Sequence, residues 1–208
     1  MVNNPFFVTN ELMMLNKNQQ YYENNAQDFY DSTVTVDMQT LYEQFLPLIP
    51  AGGAILDAGC GAGRDSKAFL DLGFYVEAFD ASDKLALLAS ELTRIKVSVD
   101  LFQTFESKKQ FDAIWACASL LHVSLLELPV VFSSLSKMLK SDGLFYCSFK
   151  YGEGEVARNG RVFTNLNECG LAMLIKGSPL RIKDQWITAD LREGREDEQW
   201  LNVILQKD

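Results

Sequence analysis

Residues Ile55-Leu56-Asp57-Ala58-Gly59-Cys60-Gly61-Ala62-Gly63-Arg64-Asp65 carry an apolar run into a turn with three alternate glycines. Such a run reads as a strand ending in a tight turn, with a helix opening directly behind it. Glycine has no Cβ, so its amides approach a ligand closely and adopt φ values that other residues avoid. The helix start adds free N–H groups that suit a carboxylate or phosphate. Asp80, in Phe79-Asp80-Ala81-Ser82, follows the next apolar run at about the 20-residue interval that places an acid on a ribose diol. Strand, turn, helix and acid together mark a nucleoside cofactor site.

Two common nucleotide motifs do not fit. The dinucleotide fingerprint G-x-G-x-x-G needs a third glycine where this chain has Arg64, and Gly63 makes the pattern G-x-G-x-G instead. Asp57, two residues before the first glycine, would repel a pyrophosphate but can accept hydrogen bonds from an ammonium group. The chain also lacks the G-x-x-x-x-G-K-[ST] loop of nucleoside triphosphate enzymes.

At these residues the chain resembles class I S-adenosylmethionine-dependent methyltransferases. Their first motif, hydrophobic-Asp-x-Gly-x-Gly-x-Gly, is matched by Leu56 through Gly63, and the acid ending their second strand by Asp80. The resemblance covers residues 36–206. It is nearer still to small bacterial methyltransferases of the tellurite-resistance-related type, on Tyr21-Tyr22, Gly63-Arg64-Asp65-Ser66, the run from Trp115 to His122, and the run from Phe149 to Glu155. The resemblance implies a Rossmann-like, doubly wound α/β fold. Its sheet would have seven strands, mostly parallel with a C-terminal antiparallel hairpin, and helices on both faces. It also implies S-adenosyl-L-methionine as cofactor.

The pattern along the chain agrees with that architecture. Residues 1–20 are rich in Asn and Gln, with a helical tendency from Leu12 to Asn16. Asp37 suits the cap of a helix that aligns Met38, Leu41, Phe45 and Leu46. Strands are expected at Ala54–Ala58, Phe74–Phe79, Lys96–Phe102, Phe111–Cys117, Leu144–Lys150, Leu180–Ala189 and Glu198–Gln206. Helices are expected at Arg64–Leu72, behind Ser82, from Pro129 to near Ser141-Asp142-Gly143, and from Asn165 and Glu168 to Gly177. Tyr151–Arg161 reads as a polar loop, and Asp190–Asp197 as an acidic hairpin turn. Alternating strands and helices imply a parallel sheet. No repeat or linker divides the chain, so one domain over residues 1–208 is expected: an arm covering the cofactor (1–35) and a core (36–208).

The resemblance assigns roles to particular residues. Gly59, Cys60, Gly61 and Gly63 let the loop pass beneath the methionine portion, and Asp57 holds its amino group directly or through water. Arg64 either meets the cofactor carboxylate or is a solvated helix start. Asp80 binds the ribose hydroxyls, while Ala81 and Ser82 flank the adenine, Ser82 serving equally well as a helix cap alone. Phe105 falls in the segment that contacts adenine, where the customary acid is missing unless Glu106 supplies it. Ala116 and Cys117, with Ala118, line the methyl-bearing side through their backbone, or simply pack the sheet. His122, the only histidine, is a general base or a structural histidine. Tyr22 joins it as a catalytic candidate. Tyr21, Tyr22 and Tyr30 belong to the covering arm, or pack there as ordinary aromatics. Lys150, Tyr151 and Arg161 either recognise an acidic or polar acceptor or border a solvated loop.

Composition narrows the partners. A net charge of −9 with scattered Lys and Arg opposes nucleic-acid binding. No apolar stretch has the length of a membrane span, and the first residues lack the pattern of a secretory signal. The four cysteines fall singly, which suits neither a metal site nor a disulfide framework and fits reduced thiols in the cytoplasm. The chain lacks the Asp/Asn-Pro-Pro-aromatic run of adenine-amino methyltransferases, and Cys117 follows Ala rather than the Pro of cytosine-C5 enzymes. The expected function is transfer of a methyl group to a small-molecule O, N, S or metalloid acceptor. A protein or other macromolecular acceptor, and a non-catalytic S-adenosylmethionine-binding protein, are the alternatives.

Overall fold

Alternation of two residue faces along the central strands sets the architecture. In β4 (Phe111–Ala116), Ala113 and Trp115 enter one core layer, while Ile114 and Ala116 enter the other. In β5 (Leu139–Lys150), Leu144 and Tyr146 alternate in the same way with Phe145, Cys147 and Phe149. Both faces are buried, which requires helices on both sides. The computed structural model describes residues 17–192, 194–195 and 197–208; the helical tendency expected at Leu12–Asn16 lies outside them.

The remaining strands are β1 (Ala54–Ala58), β2 (Tyr75–Asp80), β3 (Ser98–Val99), β6 (Gly154–Arg158), β7 (Arg161–Asn165), β8 (Leu180–Ala189) and β9 (Gln199–Lys207). Seven of them form one sheet in the order β3-β2-β1-β4-β5-β9-β8. Its β3 to β5 part is parallel, and β9 pairs antiparallel with both β5 and β8. The expected doubly wound sheet with a C-terminal antiparallel hairpin is therefore observed.

Residues 17–24 form helix α1, followed by α2 (Ala26–Thr33), α3 (Gln39–Phe45), α4 (Arg64–Asp71), α5 (Asp83–Thr93), α6 (Leu128–Lys137) and α7 (Glu168–Ile175). Helices α6 and α7 bring Phe132, Leu135 and Leu171 to one face of the sheet. Helices α3 and α4 cover the other with Leu41, Tyr42, Phe45 and Phe69 around a stacked Trp115–Tyr146 pair, 3.9 Å between ring centroids. Among the described residues, no helix is long and apolar enough to cross a membrane.

Several expected boundaries shift, for local reasons. Asp37 accepts a hydrogen bond from Gln39 N (2.8 Å), so it supports the start of α3 although Met38 holds the cap position. Asn167, not Asn165, caps α7 by accepting from Gly170 N at 2.8 Å, and Asn165 ends β7. The third strand shrinks to Ser98–Val99, because Leu101 to Thr104 turn on the Asp100 carboxylate. Strand β5 begins five residues before the expected Leu144, and an irregularity between Leu139 and Leu144 absorbs Ser141-Asp142-Gly143. The polar segment read as a loop instead forms the β6–β7 hairpin, turning at Asn159 and Gly160, both with positive φ.

Phe45 is fully buried and packs its ring 5.2 Å from Trp115 and 5.8 Å from Tyr146. Phe45→Ala removes the anchor of α3 and should lower stability in urea unfolding by about 3–5 kcal/mol, with the midpoint shifting more than the slope.

Candidate functional site

A cavity of about 460 Å³ opens at the carboxyl ends of β1, β2, β4 and β5. It lies where strand order reverses, between β1 and β4, the place at which open parallel sheets bind ligands. The turn after β1 forms its floor. Gly59 and Gly63 both have positive φ, and a Cβ on either would collide, at 2.7 Å with Ser119 Cβ and 2.9 Å with Ala89 Cβ respectively. The first glycine thus admits the loop after β4, and the second lets α5 pack closely on the start of α4.

Asp80 ties this turn to the end of β2. One oxygen accepts from Gly61 N at 2.8 Å and the other from Ser82 N at 2.9 Å. Burial raises its pKa, against the opposing N–H groups of Ser82, Gly61 and Ala81. Each oxygen keeps further acceptor capacity for a diol. Gly59 N and Cys60 N both donate to Phe79 O, at 2.9 and 3.0 Å, which fixes the turn against the second strand.

Beneath the turn lie two further carboxylates. Asp57 is buried and accepts from Ser66 Oγ at 2.6 Å. Burial, reinforced by the nearby Asp65 charge, pushes its pKa up to about 8. Asp65 accepts from Tyr42 OH (2.6 Å), Trp115 Nε1 (2.7 Å) and two nitrogens of Arg64 (2.6 and 3.0 Å). Burial works to raise its pKa, but Arg64 and these donors hold it below the usual carboxylate range. Arg64 is therefore engaged by its neighbour, with Thr33 O a further acceptor at 3.5 Å, although it still lines the cavity.

The other candidates fall into place around this floor. Ala81 and Ser82 line the cavity. Ser82 caps α5 by accepting from Leu85 N (3.2 Å) and donates to Glu23 (2.7 Å). Cys60 and Cys117 also line it, and burial raises both thiols, Cys117 to about 12. Two candidates stand apart from the wall. Ala116 is wholly enclosed in β4, and Phe105 stacks on Phe79 with centroids 4.2 Å apart, so Phe102 and Gln103 form the wall there.

Helices α1 and α2 close the top. Phe29 lies against Gly61, and Gln19 donates to Ala81 O at 3.1 Å. Asn18 exchanges two hydrogen bonds with the backbone of Val162, donating at 3.0 Å and accepting at 2.8 Å. Tyr22 OH and His122 Nε2 are 2.7 Å apart, and His122 Nδ1 lies 3.3 Å from Val162 O. With Nδ1–H donating to that carbonyl, Nε2 accepts from the tyrosine. Arg161 Nη1 donates to the same hydroxyl at 3.3 Å. Burial lowers His122 to about 4, with Arg161 and Lys150 acting in the same direction, so its ring is neutral near pH 7. Burial raises Tyr22.

Sequence reasoning missed Asp65, Ser66 and Tyr42, although the first two stood in the matched Gly-Arg-Asp-Ser run. Their available signal was helical spacing, since Asp65, Ser66 and Phe69 share the buried face of α4. Also missed were Asn18, and Arg158, Arg192 and Arg195, which line the cavity beside Lys150 and Arg161. Tyr151 points elsewhere, its hydroxyl donating to Glu168 at 3.1 Å.

Known proteins resemble this chain in sequence or in fold. The Bacillus subtilis protein YqeM is 28% identical over 116 residues, 50% of this chain and 47% of its own, so the chain spans about half the length of that curated relative. A Burkholderia thailandensis 1,6-didemethyltoxoflavin-N1-methyltransferase, solved with its namesake compound and S-adenosylhomocysteine, superposes with a TM-score of 0.75 at 20% identity, covering 100% of this chain and 92% of that one. A TehB-like S-adenosylmethionine-dependent methyltransferase from Corynebacterium glutamicum gives 0.70 at 19% identity, covering 91% and 99%. The family model described as a methyltransferase domain matches residues 30–161, more than half of the sequence, and the chain belongs to that family.

Proposed function

We propose that this chain transfers the methyl group of S-adenosyl-L-methionine to a small-molecule O, N, S or metalloid acceptor. The observation that carries the reading is Asp80 at the end of β2, bridged to Gly61 N and Ser82 N beside the sheet's reversal point. The residues fit this cofactor: Asp57 is a buried carboxylate close to an open, glycine-floored turn, suited to an ammonium, and Asp80 offers two oxygens to a ribose. The cofactor supplies an electrophilic methyl on a sulfonium that leaves as a neutral thioether.

The chain's own residues then have three tasks. The Gly59–Gly63 turn, Asp57 and Asp80 position the cofactor, with Ala81 and Ser82 beside the base and Cys117 and Ala118 on the methyl-bearing side. Helices α1 and α2 exclude water, which strengthens each polar contact and limits hydrolysis. Where the acceptor must lose a proton, the hydrogen-bonded Tyr22 and His122 are the candidate groups to receive it. Of the arm expected over residues 1–35, the described part, α1 and α2, acts as the cover, with 36–208 as the core of one unit. A cavity of about 460 Å³ partly covered by α1 and α2 favours a small acceptor over a macromolecule. Free thiols at all four cysteines support a cytoplasmic setting.

Calorimetry with S-adenosylmethionine and S-adenosylhomocysteine tests the cofactor site. Wild type should bind both, and Asp80→Ala should weaken each by about 100-fold or more, having lost two charge-assisted hydrogen bonds and the support of Gly61. Undiminished binding by that variant removes the reading. In a screen for acceptor-dependent S-adenosylhomocysteine release, Tyr22→Phe should lower kcat by about 100-fold with an acceptor that must lose a proton. An acceptor with a free lone pair should be spared.

His122 also predicts acid sensitivity. Its folded pKa, about 4, lies below the ordinary 6.5, so the unfolded chain binds the extra proton first and stability falls as pH drops from 6.5 towards 4. By pH 4 the loss from this group is about 3 kcal/mol. Urea titrations of wild type and His122→Gln across that window should converge as pH falls; parallel curves would exclude a neutral buried imidazole.

A further inference from the structure

The two ends of the cavity carry opposite charge. Around the glycine turn its wall holds Asp57, Asp65, Asp80 and Asp100, with Arg64 the one cation among the described residues there. At the other end, under the β6–β7 hairpin and the β8–β9 connection, five described cations line it: Lys150, Arg158, Arg161, Arg192 and Arg195. Only Asp190 and Glu198 face them among the described lining residues. This is a local reversal in a chain of net charge −9.

Both of those carboxylates are already occupied. Asp190 accepts from Arg192 at both oxygens, at 2.9 and 2.5 Å, and from Trp200 Nε1 at 3.1 Å. Glu198 pairs with Lys150 and, at 3.2 Å, with Arg158. Arg161 and Arg195 have no carboxylate partner among the described residues. Arg161 is the more informative of the two. Its guanidinium lies 4.3 Å from the ring centroid of Tyr21 and 5.0 Å from that of Phe163; among the described residues it hydrogen-bonds to Tyr22, and its Nε is buried with no partner. A half-buried guanidinium held by ring faces, with its Nε unsatisfied and no paired anion among the described residues, is pre-set for planar recognition of an oxyanion. Its contact with the Tyr22 hydroxyl puts such a group beside the proposed proton acceptor.

Resting on the methyl-transfer reading above, we propose that this end of the cavity binds an anionic oxygen group of the acceptor, carboxylate or phosphate, with Arg161 as its principal ligand and Arg195 in support. The acceptor is thus a small acid. The acid-lined end receives the cationic cofactor and the cation-lined end the anionic acceptor, so the two reactants are sorted by sign before they meet.

Benzoate, phenyl phosphate and neutral benzamide serve as probes. Each is titrated calorimetrically at fixed ionic strength onto the protein alone and onto protein saturated with S-adenosylhomocysteine. At least one anion should bind more tightly than benzamide, and the stronger of the two identifies carboxylate or phosphate. Arg161→Gln should weaken that anion about 10- to 100-fold, and Arg161→Lys, which keeps charge but loses the planar fork, by less. Arg195→Gln, at an exposed position, should cost a few-fold, and Lys183→Gln, exposed and outside the cavity, nothing. The proposal is overturned if both anions bind no better than benzamide, or if Arg161→Gln binds them as wild type does. Should Arg161→Gln fail to fold, the anion-to-amide contrast and Arg195→Gln decide the matter. Anion binding without any S-adenosylhomocysteine binding would overturn the cofactor reading and leave the anion site standing.

Discussion

The buried carboxylate of Asp65 holds the site side of the molecule together. It gathers Tyr42 from α3, Arg64 from its own helix and Trp115 from β4 into one set of four hydrogen bonds. An isolated charge at this depth would cost several kcal/mol, and the paired guanidinium with two further donors offsets that cost. Removing one partner would leave the carboxylate under-satisfied, so each element is constrained by the others. The start of α4, from which the glycine turn descends, is thereby fixed relative to both the sheet and the helix packed upon it.

That fixed start shapes the chemistry nearby. Arg64 pairs with Asp65 and only partly offsets the burial of Asp57, whose hydrogen-bonding side-chain partner among the described residues is Ser66. Burial then favours the neutral acid, as its raised pKa reflects. A cation arriving at the turn meets a group that ionises in response to it. The acidic end of the cavity thus derives from an arrangement one layer deeper, in which a neighbouring acid has taken the nearest guanidinium.

Much of this was legible in the sequence, because local rules dominated there. The alternation of strand and helix, the glycine turn, Asp80 and the Ser82 cap are each written in short windows where periodicity and turn chemistry agree. The β6–β7 hairpin was not legible because its first strand is almost wholly exposed and shows no apolar face. The early start of β5 was hidden by Ser141-Asp142-Gly143, which reads as punctuation but is absorbed as an irregularity beside β4. Phe105 and Ala116 were drawn towards the site by their place after a strand or at its end, whereas a shorter β3 brought Phe102 to the wall. Asp65 joins residues 23 and 50 positions away, and Asn18 meets Val162 across 144. No window along the chain spans such distances.

The amide of Asn18 pairs with Val162 much as a neighbouring strand would, using one donor and one acceptor. One turn further along the same helix, Tyr22 reaches His122, and Arg161 meets Tyr22 from the hairpin. Closure and reactivity therefore share a single hinge-pin. Were α1 to swing outward, the phenol would leave with it, and the imidazole and guanidinium would lose their common partner together. An open vessel of this design is necessarily a disarmed one.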